Sequence, residues 1–439
     1  MPINFLKNHK FVRNTCIYGT GNILLAFVPL ALTPFLTHYF SVHQFGTIDL
    51  IYTTVLIISM IANLSLDAAL LRFYYEKEYS KEIVTTSVFI YSLISSILIS
   101  FTSFLFFYYS SGAIFKTQEA FRALTIGLSS IPFTVLLTNE LILLRAQEKA
   151  LSFICASIAN LVFMFFLTVF FTKFTPYGIS SFFLANLISQ ALTSSVLFFY
   201  LKKNFVFTFS THGNLKNKIF LYSIPLLIPS LLGTFIGSIN KYFLQFYHDS
   251  SAVAIYSIGL KVSMILGLIG LSFRQAWLPY AFSISDNENA QKKYNQMFKV
   301  FLFIFFTVGA LIIVFAKPLI LLISNKDYLS AKGILGYLCL SSILINLSGS
   351  FFNLGILIKK KTSYLLLAYL LGIFVNLVLN FILVPRYSII GAGISLVSGH
   401  FLITMLLFYF SRRIYKSTYE LRFLFGFIAL FIVFLFIWR

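Results

Sequence analysis

The sequence is poor in charged residues, and above all in acids. Only 10% of its 439 residues are charged, whereas soluble domains average about 25%. Asp and Glu together number 13, against 33 Lys and Arg. The chain is 59% hydrophobic with a mean hydropathy of +0.90. This composition predicts an integral membrane protein and leaves no room for a sizeable soluble domain.

Cysteine is also scarce, and the motifs of common catalytic and nucleotide sites are missing. The three cysteines, Cys16, Cys155 and Cys339, are an odd number and lie in apolar segments, which argues against a disulfide framework. The sequence contains no Gly-x-x-x-x-Gly-Lys-Ser/Thr loop, no cysteine–histidine metal spacing and no convincing Ser-His-Asp arrangement. We therefore expect no enzyme, no cofactor and no ATP-driven step in this chain.

Long apolar runs are what the chain has in abundance. A membrane-spanning helix needs about 20 apolar residues, and thirteen stretches are candidates. The predicted fold class is all-α: a polytopic membrane protein with twelve core transmembrane helices and a short, peripheral C-terminal helix. The candidate spans are 15–39, 47–72, 84–109, 120–144, 153–172, 177–201, 219–246, 253–285, 298–323, 332–358, 364–384, 388–411 and 423–438.

The loops carry Lys and Arg unevenly, which predicts the orientation. With a cytoplasmic N-terminus, the inner loops hold 22 of these residues and the outer loops hold 8. This bias follows the positive-inside rule. The basic inner loops also explain the net charge of +20. We expect these loop charges to contact anionic lipid head groups, so the expected partner is the lipid bilayer and not a nucleic acid.

The two halves of the sequence resemble each other at a nearly constant offset. Asp67 lies 208 residues before Gln275, Tyr177 lies 210 before Tyr387, and five such matches fall between 208 and 214. Because six spans is an even number, both repeats start on the same face, an arrangement typical of parallel repeats with a site near the midplane. We predict an N-terminal six-helix lobe at 1–210, a C-terminal lobe at 211–416 and an extra helix at 417–439.

Three cations lie inside predicted spans: Lys241, Lys261 and Arg274. A cation in a span costs about 3 kcal/mol on insertion scales and usually faces protein or a water-filled cavity. We interpret the three as substrate-binding cations for something anionic. Snorkelling to the membrane surface is the alternative. Lys261 lies about nine residues, or about 13 Å, inside its predicted helix, which is far to snorkel.

Two acid–base pairs repeat at the inner ends of spans. Asp67 and Arg72 are five residues apart near the end of the second span, and Glu140 and Arg145 repeat this spacing in the fourth. Five residues is not the best spacing for a same-face helical pair, yet long side chains near a frayed end can meet. The four residues form either structural inter-helix ion pairs or a cytoplasmic gate.

Short motifs give the sequence a resemblance to a known family. They include Leu66-Asp-Ala-Ala-Leu-Leu-Arg-Phe-Tyr74, Phe273-Arg-Gln-Ala-Trp-Leu-Pro279 and Gly391-Ala-Gly393. Over about residues 11–411 the chain resembles the O-antigen and repeat-unit flippases of the multidrug/oligosaccharidyl-lipid/polysaccharide (MOP) exporter superfamily. The resemblance implies two six-helix lobes around a V-shaped cavity, alternating access, and an undecaprenyl-pyrophosphate-linked oligosaccharide as cargo.

This resemblance makes a flippase the expected function. The cargo would pass from the cytoplasmic to the outer leaflet of the bacterial inner membrane for polysaccharide, O-antigen or lipopolysaccharide biosynthesis, with a polymerase and a ligase as further partners. Relatives often carry an acid–base pair where this chain has Asn240-Lys241, so ion coupling does not carry over directly.

Two alternatives stay open, one in the same superfamily and one from another class. A multidrug exporter of the same superfamily would favour intramembrane acids, whereas cations lead in the seventh and eighth spans of this chain. A membrane polysaccharide polymerase or glycosyltransferase generally needs a large outer loop, which this sequence lacks.

Overall fold

The computed structural model describes residues 32–114, 117–206, 213–285, 289–359, 361–415 and 419–437. Cys16 and most of the first predicted span lie outside these residues. Within them, every regular element is helical, so the all-α prediction is confirmed. Ten continuous helical segments of the described chain, some of them made of more than one helical element, are long and apolar enough to cross a membrane. The protein is a multi-pass membrane protein.

The helices are numbered along the described chain. Several predicted spans correspond to a single helix, whereas 47–72, 120–144, 298–323 and 332–358 each divide into two or more helical elements. Short 3-10 turns lie at Lys202–Asn204 and Lys326–Ala331, and a π-helical turn lies at Ser348–Phe352. The helices are α1 at 32–39, α2 Val42–Asn63, α3 Leu66–Phe73, α4 Lys81–Ile114, α5 Gln118–Ser129, α6 Ile131–Ala146, α7 Ala150–Phe174, α8 Ser180–Leu201, α9 Gly213–Tyr247, α10 Ser250–Ser283, α11 Ala290–Val314, α12 Ala316–Ile323, α13 Lys332–Leu347, α14 Leu354–Ile358, α15 Ser363–Tyr415 and α16 Leu421–Ile437.

The described residues form two compact units. The first contains 32–35 and Thr47–Leu231, and the second contains Leu36–Gly46 and the described residues from Leu232 onward. In the first unit, one buried apolar cluster draws on α3, α4, α6, α8 and the start of α9, with Leu70, Val84, Leu143, Leu201 and Ile219 among its members. The assignment of each half of the chain to one six-helix repeat stays a prediction.

The predicted span 47–72 is broken in the first unit. Helix α2 ends at Asn63, and Leu64 and Ser65 both have positive φ angles, of 50° and 53°. The break frees backbone groups that lipid cannot satisfy, and side chains from other helices cover it. The Asn139 amide donates to Asn63 Oδ1 at 3.1 Å, and the Ser95 hydroxyl donates to the Ala62 carbonyl at 2.7 Å.

The second unit has an aromatic core around α10, α11 and α13. Phe298, Phe301, Phe305, Phe351 and Phe352 are almost completely buried there. Such large side chains supply much apolar area and pack edge-to-face. Helix α16 covers this region, since the Lys299 ammonium of α11 lies 2.8 Å from the carboxylate of Glu420, immediately before α16.

Helix α15 covers two predicted spans, 364–384 and 388–411, and it breaks between them. Ser388 has φ 47° and ψ −126°, a non-helical conformation that L residues rarely adopt. Pro385 lies three residues earlier and removes a backbone donor. Gly391 follows the break, and a side chain there would collide with the Leu383 carbonyl. The two spans therefore turn directly into each other, with no intervening loop.

Candidate functional site

One face of α10 packs against the end of α13 and the π turn that follows it. Gly270, Arg274 and Trp277 share this face because they are spaced four and three residues apart. Gly270 packs directly on the Asn346 amide, and the Trp277 indole donates to the Ser350 carbonyl at 2.9 Å. Arg274 lies between these two contacts and faces Gly349. The face therefore places Arg274 at the π turn.

The π turn is a local departure from α-helical geometry in the middle of an apolar span. Its closing bond runs from the Asn353 amide to the Ser348 carbonyl at 3.0 Å. The local sequence is Ser-Gly-Ser, and glycine costs a helix about 1 kcal/mol relative to alanine. Phe351 and Phe352 follow and are fully buried, which anchors the turn. Single π turns inside α-helices occur frequently at functional sites.

Arg274 is half-buried within α10. A methyl carbon built on Gly349 would lie 2.8 Å from Arg274 Nη1, so the guanidinium occupies the space that a side chain would need. Tyr369 of α15 lies within electrostatic range of this guanidinium. In the ranges that the structure describes, the Arg274 guanidinium has no salt bridge and donates no hydrogen bond to a protein acceptor. Arg274 is thus a cation in a span whose N–H donors are available to a ligand.

Lys261 lies elsewhere on α10. Its ammonium stands 5.5 Å from the ring centroid of Phe45, at the start of α2. The Phe45 ring in turn packs edge-to-face on Tyr328 at 5.8 Å. Thirteen residues of continuous helix separate Lys261 from Arg274, which corresponds to about 20 Å along the axis and about 220° of rotation. The structure therefore does not bring these two predicted binding cations together.

Lys241 on α9 is half-buried, and the residue before it, Asn240, belongs to a network of hydrogen-bonded amides. Asn240 donates to the Tyr256 hydroxyl at 2.9 Å and to the Ala392 carbonyl at 2.8 Å. The Asn380 amide donates to Asn240 Oδ1 at 2.9 Å and to Asn376 Oδ1 at 3.0 Å. Asn240 stands where relatives of the resembled family often have an acid, and here it joins α9 and α10 to both halves of α15.

The four residues of the predicted acid–base pairs have other partners. Asp67 accepts a hydrogen bond from Asn63 at 2.8 Å, and Arg72 pairs with Glu76 at 3.2 Å, one helical turn away. Glu140 is 1% exposed, and the Ser194 side chain of α8 lies close to its carboxyl group. Arg145 stacks on the Phe153 ring at 4.1 Å. A spacing of five residues turns the members of each pair to different faces, and their part in a gate stays a prediction.

The strongest perturbation of an acid outside the spans occurs just before α16. Glu420 accepts hydrogen bonds from Lys299 at 2.8 Å and from Arg422 at 2.6 Å. These cations lower the pKa of the Glu420 carboxyl from its usual value to about 2. The charge is therefore engaged in holding α16 against α11.

Residues 11–285 match the family model described as polysaccharide biosynthesis protein. The chain belongs to this family. The polysaccharide biosynthesis protein family model covers α1 to α10, and therefore Lys241, Lys261 and Arg274.

Two curated relatives match part of this family member. One is the capsular polysaccharide biosynthesis protein CapF of Staphylococcus aureus, 26% identical over 201 residues, which are 45% of this chain and 50% of CapF. The other is an uncharacterised membrane protein of Methanocaldococcus jannaschii, 23% identical over 205 residues, which are 46% of this chain and 40% of that protein. The matches span half or less of the length of these relatives.

Several solved structures share the fold. The lipid II flippase MurJ in an inward closed conformation matches 96% of this chain and 92% of its own, with a TM-score of 0.77 and 18% identity. A MOP superfamily transporter from Pyrococcus furiosus covers 93% and 96%, with a TM-score of 0.68 and 17% identity. An inward-facing MATE multidrug transporter has a TM-score of 0.67 over 89% and 98%, with 15% identity. The fold is the one these MOP superfamily transporters share, so the predicted fold is confirmed. The expectation of a protein without enzymatic activity agrees with these transport proteins.

The sequence did not single out several residues around Arg274: Gly349, Asn346 and Tyr369. The signal that could have found the first is the run of small residues, Ser348-Gly-Ser350, in the centre of an otherwise apolar span. Tyr369 carries no such signal, because 25 tyrosines are spread along the chain.

Proposed function

We propose that this protein is a flippase that moves an undecaprenyl-pyrophosphate-linked oligosaccharide from the cytoplasmic to the outer leaflet of a bacterial inner membrane. The observation that carries the proposal is Arg274, a half-buried guanidinium in a span with no salt-bridge partner among the described residues. A cation so placed is expensive and is stabilised when an anionic ligand supplies the missing partner.

Pyrophosphate is the ligand group that suits this cation best. Guanidinium offers planar donors that bind phosphate oxygens in a bidentate manner. The attraction is strong where water is partly excluded, and it offsets part of the cost of dehydrating the pyrophosphate. The lipid tail remains in the bilayer while the head group is exposed alternately to the two sides.

The comparisons support a lipid-linked saccharide over a drug. The family model and CapF are both described by polysaccharide biosynthesis, and MurJ is described as a lipid II flippase. MATE multidrug transporters share the fold as well, so the fold alone does not choose the cargo. Arg274 favours an anionic cargo, whereas a site for cationic drugs would need an acid.

Lys261 and Lys241 are proposed as further contacts of the head group. Lys261 lies about 20 Å from Arg274 along α10, so one pyrophosphate cannot touch both at once. We assign Arg274 to the inner part of the path and the two lysines to the outer part. This order follows from the predicted orientation, in which the turn between α9 and α10 faces outward.

That orientation is tested with reporter tags. Tags after Lys10, within 202–218 and within 412–422 should report the cytoplasm, and a tag within 325–331 should report the outside. An exterior signal from 202–218 would overturn the proposed cytoplasmic N-terminus.

The function is tested in a strain that lacks its own copy of the gene. Wild type, Arg274→Ala and Arg274→Lys are expressed, with Arg122→Ala on exposed Arg122 of α5 as the matched control. Surface polysaccharide, lipid-linked repeat units and the amount of protein in the membrane are measured together. We expect Arg274→Ala to lose surface polymer and accumulate lipid-linked units, Arg274→Lys to retain part of the activity, and the control to match wild type. Normal polymer with Arg274→Ala at normal protein level would contradict the proposal.

A further inference from the structure

Arg274 is long and flexible, so something has to direct its guanidinium. Two contacts fix the backbone of α10 on either side of Arg274. Gly270 packs against Asn346 of α13, and the Trp277 indole donates to the Ser350 carbonyl of the π turn at 2.9 Å. Between them, the guanidinium rests where Gly349 leaves room, with Nη1 2.8 Å from the position of a methyl carbon on that glycine. The fit depends on the absence of a side chain at one position of the π turn.

Tyr369 of α15 is a second donor within electrostatic range of this guanidinium. Tyr369 interacts electrostatically with Arg274, and its phenol can donate a hydrogen bond to a phosphate oxygen. Tyr369 is half-buried, so it belongs neither to the apolar core nor to the open surface. The guanidinium and the phenol are therefore two donors, from two helices, within electrostatic range of each other.

We propose that Arg274 and Tyr369 form one anion subsite, and that Gly349 in the π turn Ser348–Phe352 is its positioning residue. The subsite takes a phosphate or pyrophosphate group. Gly349 acts through Arg274 alone: it leaves the space in which the guanidinium lies and makes no contact of its own with the anion. This inference rests on the proposed function, because it details how the cargo's head group is held.

The geometry also explains why a π turn is present. A π turn inserts one extra residue into the helix, which shifts the register of the residues that follow. The register shift lets Gly349 face Arg274 while Ser350 presents its carbonyl to Trp277. Positioning of this kind lowers the entropy that a long side chain loses on binding, which improves affinity.

The fluorescence of Trp277 can report binding near Arg274. Its two tryptophans are Trp277 and Trp438, so Trp438→Phe leaves only Trp277, next to Arg274 on the same face of α10. The probe is inorganic pyrophosphate, with inorganic sulfate as a comparison anion. Trp277 fluorescence is titrated on the full chain in nanodiscs of phosphatidylcholine, which adds no anionic lipid. We expect a saturable change with pyrophosphate in the Trp438→Phe protein.

The variants separate positioning from folding. Gly349→Ala displaces the guanidinium, and Gly267→Ala on α10 is the matched control, since a methyl group there meets nothing within 4 Å. Tyr369→Phe removes only a hydroxyl. We expect Gly349→Ala and Tyr369→Phe each to weaken pyrophosphate binding about tenfold, as the loss of a hydrogen bond to a charged group does. Gly267→Ala should bind as the parent does.

Pyrophosphate affinity in a double-variant cycle distinguishes a glycine that acts through Arg274 from one that has only a structural role. If Gly349 acts through Arg274, adding Gly349→Ala to Arg274→Ala should cause no further loss of affinity. A further tenfold loss in that background, or parental affinity of the single Gly349→Ala variant, would overturn the positioning role. A Gly349→Ala protein that misfolds because its methyl group collides with the guanidinium should regain its yield in the Arg274→Ala background. Low yield in both backgrounds would overturn the positioning role.

Failure of this inference and failure of the proposed function give different results. If Arg274→Ala binds pyrophosphate as tightly as the parent, the proposed function loses its supporting cation. If Arg274→Ala loses binding while Gly349→Ala and Tyr369→Phe keep it, only the subsite described here is wrong. Equal binding of sulfate and pyrophosphate, unaffected by any variant, would indicate an adventitious anion site only and would also overturn it.

Discussion

Helix α10 passes through two polar regions that are built in opposite ways. Around Tyr256, the amides of Asn240, Asn376 and Asn380 bind one another, and Asn240 also donates to the Ala392 carbonyl at 2.8 Å. Around Arg274, 18 residues further along, the described protein supplies shape but no counter-ion. In the first region the polar groups bond one another and join helices. In the second region the guanidinium donors are left for an anionic ligand.

The difference predicts that the two regions respond oppositely to removal of a side chain. Arg274→Ala should abolish transport and leave the thermal unfolding midpoint of the purified protein unchanged or higher, because it removes an uncompensated charge. The measurement is thermal unfolding in detergent beside the polymer assay. A lower midpoint together with normal transport would show that Arg274 is structural after all.

Asn240→Ala should show the converse. The substitution removes the amide partner of the buried Tyr256 hydroxyl and one hydrogen bond each from Asn380 and the Ala392 carbonyl, which costs about 1–3 kcal/mol. We expect a lower unfolding midpoint and less protein in the membrane, with transport per molecule retained. Ser272→Ala is the control, since the exposed Ser272 hydroxyl bonds only to its own helix, at the Leu268 carbonyl. An unchanged midpoint for Asn240→Ala would contradict the account of the network.

Lys261 tests whether the outer part of α10 shares the function of Arg274. If Lys261 binds the head group, charge matters more than length: Lys261→Arg should retain transport, Lys261→Ala should lose most of it, and Lys261→Glu should lose more. Export is measured at equal protein level, because the lysine also stands over the Phe45 ring. Normal export with Lys261→Ala would restrict the binding path to Arg274.

Helix α16 should matter least for transport. Removing residues 417–439 deletes α16 and the Glu420 contacts with Lys299 and Arg422. The predicted outcome is correct insertion and retained export, with modestly lower stability. A stable, inserted and inactive protein would show that α16 takes part in transport.

The smallest expected effect is the pH dependence of the Glu420 contacts. Because the pKa of Glu420 is lowered from 4.5 to about 2, its stabilising contribution is complete above pH 4.5 and is lost as the pH falls toward 2. The difference in unfolding midpoint between wild type and Glu420→Gln should therefore shrink between pH 5 and pH 2.5. A constant difference would mean that the Glu420 charge does not hold α16.

Much of the fold follows from hydropathy because the bilayer requires long apolar helices. The predicted spans fail where a helix breaks without a change in composition. Leu64 and Ser65 interrupt the span 47–72, although nothing in their type demands positive φ angles. Asn139 of another helix secures the break through Asn63, and such a tertiary contact is not visible in the local sequence.

The candidate site was predictable in part for the same reason. Arg274 stands out because a charge in an apolar run is rare. Its direction does not stand out, since that depends on Gly349, about 75 residues further along, and on a π turn that apolar periodicity cannot reveal. The Asp67–Arg72 and Glu140–Arg145 pairings depended on spacing alone. In the structure Arg72 pairs with Glu76 four residues further along, and side chains of other helices contact Asp67 and Arg145.

The most direct test of the central claim is lipid flipping by the purified protein. Wild type and Arg274→Ala are reconstituted at equal amounts in proteoliposomes that contain an undecaprenyl-pyrophosphate-linked disaccharide, and the fraction of disaccharide that an added enzyme can reach is followed over time. The account predicts that wild type makes the inner-leaflet pool accessible, and that Arg274→Ala, folded to the same midpoint, does not exceed protein-free liposomes. Equal rates for wild type and Arg274→Ala would contradict it.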